Sequence, residues 1–240
     1  MPKAIYMQIY KVLKERIERE VYEYQEMLPS ENTLIQEFNC SRNTIRRAIG
    51  ELVNDGYVQA MQGKGVRNIY QPSEQNTFVI GGIESFKESA IRNKKKARTE
   101  VLQFAELIVD EKIGKRTGFE VGEEIYYIQR LHYMDDKALI LNHNYFLKNV
   151  ANGLTKEIAE KSIYDYLENT LGVTIVNSKR VMTVEKMTQI EENLMNLGDY
   201  NCLAVVSSQT FNSDGVMFEY TESRHRPDYF RFQENAVRKK

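Results

Sequence analysis

Arg42, Asn43, Arg46 and Arg47 fall within six consecutive positions and carry the chemistry needed to read a base-pair edge. An arginine can donate two hydrogen bonds to the O6 and N7 of a guanine, asparagine and threonine can contact other base edges, and further cations neutralise phosphates and release counterions. Lys64 adds a cation at the tip of Gln62-Gly63-Lys64-Gly65, where the glycines permit a positive φ and close backbone approach. A second set of residues suits an anion. Arg130 lies in an apolar strand run with Tyr127, Ile128, Leu131 and Tyr133, where a cation is costly unless a carboxylate or a ligand phosphate meets it. Gly81-Gly82-Ile83-Glu84-Ser85-Phe86 brings a chain with free backbone N–H groups to a helix start at Ser85, and Ser162 offers a hydroxyl in the same manner. Ordinary capping is the other reading of both serines. Along 218–232 polar residues alternate, with Tyr220, Glu222, Arg224 and Arg226 on one side and Glu219, Thr221, Ser223 and His225 on the other. Neither face of such a strand builds an apolar core, and Glu, Arg and His side chains suit the hydroxyls of a sugar.

The elements that position these groups can be read from caps and periodicity. Ser30 caps a helix carrying Leu34, Ile35 and Phe38, and Asn39-Cys40-Ser41 turns the chain into a second helix capped by Ser41. Ile45, Ala48, Ile49, Leu52 and Val53 share one face of that helix and leave its arginines outside. Ile5, Ile9, Val12, Leu13 and Ile17 give an earlier amphipathic helix, while Gly56-Tyr57-Val58 leads into the glycine-tipped hairpin. The segment 71–77 is polar, contains Pro72, and separates an expected DNA-binding domain at 1–70 from an α+β domain at 78–240. In the latter, strands are expected near 78–83, 99–108, 125–134, 138–145, 173–185, 203–212 and 216–226, with helices near 86–91, 113–118, 154–171 and 189–197. Turns at Asp135-Asp136 and Ser213-Asp214-Gly215 make the sheet mostly antiparallel. The basic run Arg92, Lys94, Lys95, Lys96 and Arg98 could add a nucleic-acid or phosphate contact, although such a run more often is a solvated loop.

A chain of 240 residues with 42% hydrophobic residues can bury a core in each domain. Its formal net charge of −1 excludes a protein that coats nucleic acid over its whole surface, so basic groups must act locally. Cys40 and Cys202 lie in different domains, which argues against a disulfide framework and for a reducing, cytoplasmic setting. His132, His143 and His225 lack metal-ligand spacing, and neither a metal nor a cofactor is expected. No apolar run is long enough for a signal peptide or membrane span. With no nucleotide loop, nucleophile elbow or metal motif, an enzyme would have to rest on His225 paired with Glu222.

The first seventy or so residues resemble the GntR family of bacterial transcription regulators through LPSE at 28–31, SRNTIRRAI at 41–49, DGY at 55–57 and QGKG at 62–65. The family usually has glycines in the turn where this chain reads 20–25, and often Thr-Phe-Val where it reads Val66-Arg67-Asn68, which makes Arg67 an extra phosphate candidate. The resemblance implies a winged helix-turn-helix whose DNA-facing set comprises Ser30, Ser41, Arg42, Asn43, Thr44, Arg46, Arg47, Gln62, Gly63, Lys64 and Gly65. The remainder resembles the UTRA effector domain, a chorismate-lyase-like α+β fold, through Ser85-Phe86, Gln129-Arg130-Leu131, Asp135-Asp136-Lys137, Ser162-Ile163-Tyr164 and 226–232. Within that group the stretches 83–88, 154–158, 162–166 and 220–226 are similar to repressors of trehalose utilisation operons. This implies a homodimer on double-stranded operator DNA, released by a phosphorylated sugar, trehalose 6-phosphate. It also implies Ser85, Phe86, Arg130, Ser162 and Tyr164 at the phosphate end and Glu219, Arg224 and His225 at the sugar. His132 and Asn142 stand where amino-sugar-binding relatives often have an arginine and a glutamate.

Overall fold

The computed structural model describes residues 5–71, 78–79 and 83–233, so positions 72–77 of the expected linker, and Gly81 and Gly82, lie outside the described residues. The chain divides into two compact units.

The first unit contains α1 (Ile5–Glu18), α2 (Glu31–Phe38) and α3 (Arg42–Asn54), followed by the hairpin β1 (Val58–Met61) and β2 (Gly65–Asn68). Ser30 and Ser41 cap α2 and α3 by accepting from the backbone N–H groups of Thr33 and Thr44. The turn between these helices passes through Asn39 in the left-handed region at φ 46°, a conformation that asparagine tolerates. Ile9, Leu13 and Ile17 of α1 pack on Leu34, Ile45, Ala48 and Leu52 in one core. Ile5 and Val12, expected on that stripe, are 60% and 38% exposed: Val12 lies off the Ile9, Leu13, Ile17 row, and Ile5 is the first residue of α1, at the open end of that row. In the turn after α1, Glu20 and Gln25 take positive φ of 58° and 68°, so the backbone adopts glycine-like conformations without glycine. The Asn68 side chain anchors this turn by donating to the carbonyls of Tyr22 and Glu23.

The second unit is a six-stranded antiparallel sheet with helices on both faces. After β3 (Phe78–Val79) and α4 (Phe86–Arg92) come β4 (Ala97–Ile108), α5 (Glu111–Thr117), β5 (Glu124–Met134) and β6 (Lys137–Leu147). They are followed by α6 (Lys156–Lys161), α7 (Ile163–Asp165), β7 (Ile175–Lys186), α8 (Gln189–Met195), β8 (Cys202–Asn212) and β9 (Met217–His225). The strand order is β4-β5-β6-β9-β8-β7. Asp135 and Asp136, at φ 48° and 64°, make the tight β5–β6 turn. Ala159, Ile163 and Leu167 pack with Val101, Ile128 and Phe146 on one face, and Met195 packs with Leu131, Leu141, Leu203 and Val205 on the other.

The single helix expected over 154–171 is interrupted. Ser162 adopts φ −160°, ending α6, and its hydroxyl caps α7 by accepting from Asp165 N–H, after which Tyr166–Thr170 continue as a π-helical turn. A serine can end one turn and cap the next because its side chain replaces a backbone acceptor. The basic run at 92–98 is a surface of local pairs, with Arg92 on Glu84, Lys95 on Asp135 and Arg98 on Glu100.

Candidate nucleic-acid interface and effector cavity

On α3 the apolar residues Ile45, Ala48 and Leu52 are fully buried, and Arg42, Asn43, Arg46 and Arg47 all project into solvent on the opposite side. Two of the arginines are already organised. Arg46 Nε donates to both Glu31 carboxylate oxygens at 3.0 and 3.2 Å, and Arg42 donates to Asn32 Oδ1 at 2.9 Å. Arg47 lies 3.8 Å from the centre of the Tyr6 ring. The hairpin tip Gln62, Gly63, Lys64 and Gly65 is exposed, with Gly63 at φ 70° and Gly65 at φ 107°. Ser30 and Ser41 are exposed caps, Thr44 is half-buried behind Ser41, and Arg67 is a half-buried strand residue whose Nε is shielded from solvent. The unit thus places a recognition helix, its capping hydroxyls and a basic wing tip on a compact core.

In the second unit a cavity of about 190 Å³ lies on one face of the sheet, bounded by the ends of α4 and α7. Ser85 and Phe86 reach it from the start of α4, Ser162 and Tyr164 from the broken helix, Arg130 and His132 from β5, Asn142 from β6, and Glu219 and His225 from β9. Nine of the ten residues expected at the effector therefore share one wall-lined space. Four cations line it, Lys87, Arg130, Lys161 and Arg180, against two carboxylates, Glu84 and Glu219. Glu84 is in turn held by Arg92 at 2.9 and 3.0 Å, which leaves the cavity attractive to an anion.

Arg130 is the central cation. Its Nε donates to Asn144 Oδ1 at 2.8 Å, and among the described residues no carboxylate lies within 4.0 Å of it. Burial pulls its pKa down to about 10, opposed by the charge of nearby Glu219, so it stays protonated at neutral pH. Glu219 accepts from Tyr164 Oη at 2.6 Å and Thr221 Oγ1 at 2.7 Å instead. Burial, then the Glu219 charge, raises the Tyr164 phenol and keeps it a neutral donor.

A second polar element stands beside it. Asn142 Nδ2 donates to His132 Nε2 at 3.0 Å, which makes Nδ1 the protonated nitrogen, donating to Thr99 Oγ1 at 2.9 Å. Burial, reinforced by the Arg130 charge, holds His132 neutral, and its ring stacks obliquely on Phe86 with centroids 4.5 Å apart. Asn142 Oδ1 has no hydrogen-bond partner among the described residues and offers an acceptor in the cavity wall. His225 is also kept neutral, burial pushing its pKa down to about 3.

The two expected helix-start groups are partly committed. Ser85 forms a capping box: its hydroxyl accepts from Glu88 N–H at 3.3 Å, and its own N–H donates to Glu88 Oε2 at 2.7 Å. Its hydroxyl proton and the Phe86 N–H remain as donors. The Ser162 hydroxyl accepts from Asp165 N–H at 3.3 Å and likewise keeps its proton for another acceptor.

Arg224 does not face the cavity, which corrects the expectation that it meets a sugar. Strand alternation turns it to the opposite face, where it pairs with Glu185 at 2.8 Å, Glu222 at 3.0 Å and the buried Glu191. The same alternation separates His225 from Glu222, which binds Arg116 at 2.7 Å, so the pair an enzyme would need is not formed. Sequence reading missed Lys87, Lys161, Asn144 and Arg180 in the wall. The i, i+2 spacing of Asn142 and Asn144 is a legible signal, whereas Arg180 sits on a mostly exposed strand with no buried face to betray it.

Residues 5–67 match the family described as bacterial regulatory proteins, gntR family, and residues 92–231 match the UTRA domain. The chain is 35% identical over 235 residues to the HTH-type transcriptional regulator TreR of Bacillus subtilis (strain 168), covering 98% of each. The structure of the B. subtilis trehalose repressor (TreR) effector binding domain superposes with a TM-score of 0.54 at 36% identity, covering 60% of this chain and 99% of that one. The possible transcriptional regulator YydK of Bacillus subtilis subsp. subtilis str. 168 shares the fold at a TM-score of 0.82 and 20% identity, over 98% of this chain and 100% of that one. With a capped recognition helix and wing in one unit and a cation-lined cavity in the other, the chain belongs to the GntR family of bacterial transcription regulators and carries a UTRA effector domain.

Proposed function

We propose that the protein is a cytoplasmic repressor of a trehalose utilisation operon, which binds its operator as a homodimer and releases it when trehalose 6-phosphate occupies the cavity. The observation that carries this reading is Arg130, a half-buried cation in the cavity wall with no carboxylate within 4.0 Å among the described residues. A phosphate monoester supplies the missing charge and accepts from the guanidinium, and the Ser85 and Ser162 hydroxyls can add donors from the facing helices. The neutral His132–Asn142 pair and Asn142 Oδ1 suit hydroxyl groups and provide no carboxylate for an amine. Similarity to TreR supports trehalose as the sugar.

On DNA, Arg42 and Arg46 are assigned to base edges and Asn43, Thr44, Arg47 and Lys64 to phosphates or secondary base contacts, each recognition helix of a two-fold dimer entering one major groove. Effector binding weakens this complex only if it favours a dimer geometry that no longer matches the half-site spacing. The test is fluorescence anisotropy on an operator duplex selected from random sequences. Release is expected with trehalose 6-phosphate and not with trehalose, glucose 6-phosphate or glucosamine 6-phosphate. Release by another phosphorylated glycoside alone would retain the regulator and replace the sugar.

A further inference from the structure

We infer that Tyr70 is a coupling residue: stacked on Tyr57, it fastens the start of the interdomain segment to the end of the recognition helix, so that effector occupancy reaches the DNA-reading face through a rigid joint. The inference rests on the effector-driven release proposed above and names a residue that passes it on. Tyr70 belongs neither to the DNA-facing set nor to the cavity wall, so neither role accounts for it.

The clasp is built from ties on three successive residues. The buried Asn68 side chain donates to the carbonyls of Tyr22 and Glu23, and its Oδ1 accepts from the Tyr70 N–H at 3.0 Å. The Ile69 N–H donates to the Tyr57 carbonyl at 3.0 Å. The half-buried Tyr70 ring lies face to face on the Tyr57 ring, with centroids 4.7 Å apart and an interplanar angle of 10°. A chain leaving the last strand of a small domain ordinarily frays unless it is tied down. Here the ties reach the second residue beyond β2.

Tyr57 in turn is part of the end of α3. Its N–H donates to the Leu52 carbonyl at 2.9 Å, closing the last turn of the helix. Its hydroxyl donates to Glu18 Oε1 at 2.7 Å, and Lys14 Nζ lies 5.2 Å from its ring centre, so α1 grips the same side chain. A displacement of Tyr70 is therefore delivered to the helix that carries Arg42 and Arg46. On the effector side, Ile83, Glu84, Ser85, Phe86 and Lys87 all line the cavity. Along the chain, positions 71–82 alone separate the clasp from that wall. A connecting segment passes on a constraint only as far as its ends are fixed, because each freed residue adds conformations over which the constraint is averaged.

Tyr70→Ala and Tyr70→Phe in the full chain test the assignment, by anisotropy on the operator duplex with and without saturating trehalose 6-phosphate. Tyr70→Phe keeps the ring and is expected to behave as the parent. Tyr70→Ala is expected to bind operator alone and effector alone within about twofold of the parent, while the factor by which effector weakens operator binding falls about three- to tenfold. Linkage requires an equal fall in the factor by which operator weakens effector binding, a readout that a lower stability alone does not move. Hydrogen exchange gives a measure independent of any effector: the Ile69 and Tyr70 amides should be protected in the parent, and the Tyr70 amide should open in Tyr70→Ala. Full coupling retained by Tyr70→Ala, or unprotected amides in the parent, would overturn the clasp. Operator affinity lost in Tyr70→Ala together with a lower urea midpoint of the first unit would also overturn it, by making the stack structural only. A parent with protected amides that trehalose 6-phosphate does not release would instead remove the effector reading, and the coupling with it, leaving the stack itself in place.

Discussion

A guanidinium withdrawn from bulk water without a carboxylate partner is expensive, and the half-buried Arg130 bears that cost beside a carboxylate, Glu219, that is already committed to two hydroxyl donors. Arg130→Ala is expected to lower effector affinity by about 100-fold or more, since a desolvated charge pair is worth about 2 to 5 kcal/mol. Operator affinity of the same variant should stay within about twofold of the parent, as measured by anisotropy without effector. Arg42→Ala should do the reverse, weakening operator binding by about 10- to 100-fold, the worth of about 1 to 3 kcal/mol for a base contact, with the effector-induced melting shift unchanged. If both variants lose both properties, the division of labour between the units is wrong. At this scale the cavity was legible where residues recur at strand or capping positions. It was not legible where assignment ignored the strand: Arg224 is one residue from His225 and therefore on the other face, tied to three carboxylates.

Elements show where local rules held and where tertiary context prevailed. The caps at Ser30, Ser41 and Ser85 and the turn at Asp135-Asp136 follow from local hydrogen bonding and were readable in the chain. The break at Ser162 was not, because neither proline nor glycine marks it and the residues on either side keep a helical apolar period, with Ala159, Ile163 and Leu167 all in one core. Ser162→Ala should destabilise the effector unit by about 1 kcal/mol through loss of the α7 cap, measured by urea unfolding, and should also weaken effector binding. The turn after α1 offers a change of opposite sign. Glu20 and Gln25 hold positive φ without being glycine, so Glu20→Gly is expected to stabilise the first unit by up to about 1 kcal/mol, strain relief outweighing the added freedom of the unfolded chain. A lower urea midpoint for Glu20→Gly would contradict that account of the turn.

For the molecule as a whole, a net charge of −1 coexists with a basic recognition helix and a cation-lined cavity, so function rests on where charge sits rather than on its sum. The described residues contain no helix long and apolar enough to cross a membrane. The buried histidines make stability depend on pH. His225 is held at a pKa of about 3 in the fold against 6.5 for an ordinary histidine, and His132 is lowered in the same direction. As pH falls below about 6.5 the unfolded chain takes up protons that the folded unit refuses, so the contribution is complete above that pH and is lost toward pH 3, by at most about 1.4 kcal/mol per pH unit for each group. The melting temperature of the effector unit is therefore expected to fall between about pH 7 and 5, and His225→Gln to show a shallower fall.

The most direct test of the central claim is thermal unfolding of the full chain with and without trehalose 6-phosphate, trehalose, glucose 6-phosphate and glucosamine 6-phosphate. A ligand that binds the folded unit at a hundred times its dissociation constant stabilises it by about 2.7 kcal/mol. Trehalose 6-phosphate should raise the transition by several degrees, trehalose should leave it unchanged, and Arg130→Ala should abolish the shift. An equal shift with unphosphorylated trehalose, or a full shift retained by Arg130→Ala, would contradict the assignment of this cavity to a phosphorylated sugar.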